Sequence, residues 1–71
     1  MKLRGSISFR DVETGVWVLQ GDDGNTYELA GGDRHIKKDG KRIEVEGDVD
    51  GGAVTLGMVG PLLRVKRYRF L

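Results

Sequence analysis

The stretch GVWVLQGDDGNTYEL, Gly15 to Leu29, leaves a chain few options other than two strands joined by a tight turn. Val16, Trp17, Val18 and Leu19 are β-branched, aromatic or large apolar residues, the types that fit a pleated, half-buried surface. Asp22-Asp23-Gly24-Asn25 follows them. Aspartate bonds to nearby backbone at turn positions, and glycine takes up positive φ without steric cost. An acidic residue and glycine between two strand-like runs is a strong local hairpin signal. Thr26 to Leu29 then alternates polar and apolar. The alternation predicts that Tyr27 and Leu29 face inward with Trp17 and Leu19. Val16 and Val18 then fall on the outer face, which is unusually apolar for a solvated one. They are a candidate apolar partner surface, to be covered by a neighbouring loop or by a partner.

Two other stretches carry the same period. Lys2 to Arg10 places Leu3, Gly5, Ile7 and Phe9 on one face and charged or hydroxyl side chains on the other, the pattern of a strand with one buried face. Gly5 at an inward position points to a bend or a close backbone approach. Asp11 to Gly15 is short enough to make the first two strands antiparallel neighbours. Lys41 to Val49 turns Ile43, Val45, Gly47 and Val49 inward, and Arg42, Glu44, Glu46 and Asp48 outward. Between them, Asp33 to Asp39 is the one helical piece. Asp33 caps its start, Gly40 ends it, and Lys37 and Lys38 sit near its C-terminal end. A single short helix or 3₁₀ turn is expected, with Ile36 packed down.

After the turn Asp50-Gly51-Gly52, Ala53 to Leu56 reads as the start of a strand that GMVGP, Gly57 to Pro61, interrupts. Leu62 to Leu71 resumes it out of phase. Leu63 and Val65 share one face, whereas Tyr68 and Phe70 share the other, and a regular strand cannot bury both pairs. A β-bulge near Lys66-Arg67 restores the register; without one, Tyr68 and Phe70 are exposed. The element order β-β-β-α-β-β is that of an OB-fold, a five-stranded Greek-key barrel, with an SH3-like barrel as the alternative. The expected fold class is therefore all-β: one small five-stranded barrel over residues 1–71, with a short helical connector between strands 3 and 4.

With 71 residues and no cysteine, the chain has neither a disulfide nor a thiolate metal ligand. A domain this small buries only about 60% of its surface. Stability is expected from closing the sheet around Trp17, Phe9, Tyr27 and the aliphatic residues, or from self-association. Twelve glycines against one proline suit many tight turns and bulges. Twelve basic and eleven acidic residues leave a net charge of +1, which makes no global case for nucleic acid or an anionic membrane. The start MKLRGSISFR lacks an apolar h-region and a small-residue cleavage site, and no apolar run approaches membrane-spanning length. The expectation is a cytoplasmic domain.

The segments GVWVLQGDDGNTYELAG, DGKRIEVEGDVD and LLRVKRYRF together resemble small bacterial OB-fold-like domains of unknown function. In those domains a Y-x-L strand and a turn precede a G-K-x-V-x-V-x-G strand, and the last strand closes the barrel. Tyr27, Leu29, Gly40, Lys41, Ile43, Val45 and Gly47 carry the match. The resemblance implies a non-catalytic module.

Residues for catalysis are sparse. His35 is the single histidine, with no serine–histidine–carboxylate company nearby in sequence, and it reads as an exposed helix residue. Glu44, Glu46 and Asp48 line one strand face. Three carboxylates at that spacing suit a cation or a dyad, but more often form a solvated face paired with cations; Arg4 and Arg10 are candidate partners. Asp22 to Asn25 lacks the spacing of an EF-hand loop, and Gly40-Lys41-Arg42 lacks the serine or threonine of a P-loop. Gly57 to Gly60 matches the GxxG of KH domains, but sits between strands rather than helices. No metal and no cofactor is expected.

The last strand is the one stretch with binding chemistry. Arg64, Lys66, Arg67 and Arg69 alternate with Tyr68 and Phe70, as in single-strand binders that combine a cationic groove with aromatic platforms. The opposing reading has Tyr68 and Phe70 closing the barrel while the cations pair with the acidic strand. Two readings of function follow. The first is a non-catalytic interaction module with a protein partner or a second copy. The alternative is weak single-stranded nucleic-acid binding through Arg64 to Phe70.

Overall fold

The computed structural model describes residues 1–11, 15–52 and 60–71. It consists of five strands and one 3₁₀ turn: β1 Lys2–Arg10, β2 Val16–Gly21, β3 Thr26–Gly31, η1 Arg34–Ile36, β4 Arg42–Asp50 and β5 Leu62–Phe70. The strands form one sheet that closes into a ring in the order β1-β2-β3-β5-β4. β1 is antiparallel to both β2 and β4. β3 is antiparallel to β2 and parallel to β5, and β5 returns antiparallel along β4. The architecture is the five-stranded all-β ring expected from the strand order. The expected strand start at Ala53 to Leu56, and Gly57 to Val59 of the interruption after it, lie outside the described residues, as do Val12 to Thr14 of the β1–β2 connection.

Alternation delivers the core. Ile7, Leu19, Tyr27, Ile43, Val45 and Leu63 point inward from all five strands, and Ile36 joins them from the 3₁₀ turn. Leu3, Trp17, Leu29, Val49, Val65 and Tyr68 pack against this cluster in half-buried positions. The connector forms as its sequence predicts. The Asp33 carboxylate accepts a hydrogen bond from the His35 N–H at 2.9 Å, capping η1, and Ile36 is buried.

The phase problem in the last strand is resolved at Lys66. Glu46 pairs with Arg67, but Gly47 pairs with Val65, so Lys66 is the extra residue of a bulge. Past it, Tyr68 lies opposite Val45 and Phe70 opposite Ile43, both inward positions of β4. Without the extra residue, Tyr68 and Phe70 would fall on the same face as the carboxylates.

Two glycines let backbones approach at these crossings. A Cβ on Gly5 would stand 2.1 Å from the Gln20 carbonyl oxygen, and one on Gly47 would stand 2.1 Å from that of Arg64. Neither oxygen belongs to a flexible side chain, so the strands themselves must shift. Phe9, expected in the core, is 44% exposed. It sits near the C-terminal end of β1, where the ring of strands opens, shielded in part by its edge contact with Trp17. In urea unfolding, Gly5→Ala and Gly47→Ala should each lose about 1–3 kcal/mol, as overpacking does. Gly51→Ala, which meets nothing within 4 Å, should stay within about 0.5 kcal/mol of the parent.

Candidate functional site

Register dictates what the cations of β5 do. β4 presents Glu44, Glu46, Asp48 and Asp50 along its length, and β5 runs back beside it. Glu44 faces Arg69 at 3.2 Å, Asp48 meets Lys66 at 3.1 Å, and Asp50 meets Arg64 at 3.3 Å. Arg67 pairs with Glu46. Arg4 of β1 reaches Glu44 from the other side at 2.9 Å. All four cations of the last strand are thus engaged by carboxylates. Hydrogen bonds from Arg4 and Arg69 hold the Glu44 carboxyl below the ordinary glutamate value of 4.5, and the bond from Arg67 does the same for Glu46. A shallow depression of about 390 Å³ lies over this ladder, lined by Lys2, Glu44, Glu46, Arg67, Tyr68 and Arg69. Both carboxylates in it have an arginine partner, and Lys2 is the one lining cation without an ion pair among the described residues.

The second surface is built from strand ends. The alternating directions bring the C-termini of β1, β3 and β5 and the N-termini of β2 and β4 to one end of the ring. The connector 32–41 folds across that end and inserts Ile36. Four of the five aromatic residues gather there: Phe9, Trp17, Tyr68 and Phe70. Phe9 and Trp17 meet edge to face at 5.2 Å, as do Tyr68 and Phe70 at 5.7 Å. The Phe9 ring also lies over Gly15, where a Cβ would come within 2.5 Å of it. Tyr68 donates its hydroxyl proton to the Asp33 carboxylate, which ties β5 to the connector and lowers the Asp33 pKa. A groove of about 400 Å³ runs between the start of β2 and the end of β3, bordered by Trp17, Leu29, Ile36, Arg34 and Lys37. It opens there because the β2–β3 pairing runs only from Val18 to Gln20 on β2.

The charges at this end differ from those on the ladder. Arg10, Arg34, Lys37, Lys38 and Lys41 are exposed and make no ion pair with the described residues. The carboxylates beside them are largely committed. Asp33 serves Tyr68 and His35, and Asp39 accepts the Phe9 N–H at 3.1 Å. His35 is exposed, its Nδ1 3.5 Å from Asp33.

The residues singled out from sequence separate accordingly. Arg64, Lys66, Arg67 and Arg69 lie on the ladder, while Tyr68 is half-buried against the core and Phe70 stays 40% exposed at the connector end. Val16 and Val18 require correction as a partner surface. They are 6% and 0% exposed, covered within the chain, and stand apart from the main core cluster. Val18 pairs across the outer face with Glu28, itself buried, and the Glu28 N–H bonds to the Pro61 carbonyl at 2.9 Å. Of the two arginines expected to meet the acidic strand, Arg4 does so and Arg10 does not. Sequence reasoning missed the connector cations because Lys37 and Lys38 read as a helix C-terminus. The available signal was arithmetic: the four acids of β4 are matched by Arg4 of β1 and the four cations of β5, leaving the connector's cations unserved.

The strand ring with its 3₁₀ connector defines a small all-β domain. A family model described as "Protein of unknown function (DUF5818)" matches residues 10–67, and the chain belongs to that family. No curated protein and no solved structure matches it. Among the described residues, no helix is long and apolar enough to cross a membrane, and no three histidine, aspartate or glutamate side chains form a group able to hold a metal ion.

The ladder makes stability depend on pH. A carboxyl whose folded pKa is depressed stabilises the fold above its unfolded value, and that stability is lost as pH falls through the folded value. Melting temperature should therefore fall with acidification from about pH 5, where the unfolded glutamates begin to take up protons. The gap between the parent and Glu44→Gln should be widest near neutrality and close below the ordinary glutamate value. Adding 1 M NaCl at pH 7 should narrow it too, because the arginine partners are mostly exposed.

Proposed function

We propose that this domain is a non-catalytic binding module of OB-fold type, and that its binding surface is the connector end of the ring. Two features support the OB assignment over an SH3-like one: β1 pairs with both β2 and β4, and β5 closes the ring by running parallel to β3. A non-catalytic role is supported by the site chemistry. Among the described residues the His35 ring is partnered by Asp33 and not by a nucleophile, and the β4 carboxylates are taken up by arginine and lysine, so neither supplies a base positioned against a reactive group there.

The observation that carries the proposal is the pairing of each exposed ring with a half-buried one. Phe9 rests on Trp17 and Phe70 on Tyr68, so both present apolar surface at fixed positions and need little further ordering on binding. Protein partners, or a second copy, were expected at Val16 and Val18; burial of those residues supports looking for such a contact at this end instead. A chain this small in an oxidising compartment commonly carries disulfides, and the absence of cysteine supports a cytoplasmic location.

An NMR screen of small aromatic and aliphatic fragments tests the surface without assuming a ligand. Amide shifts should cluster at Phe9, Trp17, Arg34, Lys37 and Phe70, and should be reduced in a Phe70→Ser variant that keeps the parent's dispersed spectrum. Shifts confined to the β4–β5 ladder would count against this end as the binding surface.

A further inference from the structure

The connector end joins two properties that the rest of the molecule keeps apart: exposed aromatic rings and cations without carboxylate partners. From this we infer that its ligand is single-stranded nucleic acid, held through the phosphates by Arg10, Arg34, Lys37, Lys38 and Lys41 and through stacking on Phe9 and Phe70. The inference rests on the binding surface proposed above and adds the class of ligand to it.

Charge is the first argument. Six of the twelve cations are paired, namely Arg4, Arg42, Arg64, Lys66, Arg67 and Arg69. Phosphates compete poorly for these, because each must first be separated from its carboxylate. The five at the connector end are free of that cost among the described residues. Against these five stand the three carboxylates of residues 9–11 and 33–41, Asp11, Asp33 and Asp39, so positive charge is in surplus there. An anionic ligand fits this balance.

The second argument is shape. Cations alone would serve any polyanion, but base stacking needs flat apolar faces at fixed positions. Phe9 and Phe70 are 44% and 40% exposed, each held edge to face by its neighbour. Trp17 and Leu29 border the groove between them and the two connector cations Arg34 and Lys37. A strand crossing this end can place bases against rings while its backbone runs past the lysines. A duplex, whose bases are already stacked, gains only the phosphate contacts. The ladder on β5 takes no part, although its sequence looks the more cationic.

The test titrates the protein with a ten-residue oligothymidine, following Trp17 fluorescence and amide shifts at 50 and 200 mM salt. A glutamate decapeptide and a DNA duplex of equal length serve as comparisons. The oligothymidine should bind at 50 mM salt, with affinity falling at least tenfold at 200 mM as counterion release demands. Arg34→Gln/Lys37→Gln, both exposed positions, should weaken binding about tenfold with the fold intact. Phe9→Ala should weaken it by a similar factor in a variant that retains the dispersed spectrum. Arg64→Gln/Arg69→Gln should leave it within about twofold of the parent. The inference is overturned if the oligothymidine leaves the spectrum unchanged at 50 mM salt, if the glutamate peptide binds as well, or if the β5 pair matters more than the connector pair. Fragments shifting the connector end while the oligothymidine does not would overturn the ligand class and leave the binding surface standing.

Discussion

Everything in this fold depends on how β5 lies against β4. The last strand must place Leu63 and Val65 in the core at one end, and Tyr68 and Phe70 on the same side at the other. A two-residue period cannot do both over that interval. The extra residue at Lys66 supplies the change of phase, and Gly47 opposite supplies the space for it. β5 also pairs with β3 through Leu62 to Val65, so the strand that carries the bulge is the one that closes the ring.

The register set by the bulge also sorts the charges. With Arg67 beside Glu46 and Arg69 beside Glu44, the outer face of β4 and β5 becomes a neutralised ladder rather than a basic patch. Individually, exposed pairs of this kind contribute little to stability. Their larger effect is on what the surface attracts. The cations left over sit on the connector and at the end of β1, where strand directions have also delivered four aromatic residues. The proposed binding surface is thus not the stretch that looks most cationic but a place assembled from five separate parts of the chain.

Much of the fold was legible in the sequence because alternation and turn chemistry act locally. The hairpin at Asp22 to Asn25, the inward faces of β1 and β4, the capped connector and the bulge near Lys66 all follow from residue types at fixed spacing. What was not legible depends on closure. Val16 and Val18 looked exposed because a strand's outer face is normally solvated, and nothing local says that the chain will cover it. Phe9 looked buried because its position in the alternation is inward, yet it lies where β1 runs out of the ring. The site was the least legible part: the pair at positions 68 and 70 comes to the same end as the pair at 9 and 17 only once β5 has come round beside β4. Cation pairing likewise depends on which strands become neighbours, which is why Arg10 and Arg4, similar in sequence, end in different electrostatic company.

The central claim is that one inserted residue at Lys66 lets the closing strand face the core on both sides of the bulge and so sorts the charges and aromatic rings. Cross-strand nuclear Overhauser effects between β4 and β5 report on it directly. The register described here predicts contacts of Val45 with Tyr68 and of Gly47 with Val65, on either side of the bulge. An uninterrupted ladder, with Gly47 opposite Lys66 and Val49 opposite Arg64, would contradict the account. It would return Leu63 and Val65 to the face of the carboxylates and dissolve the core on that side.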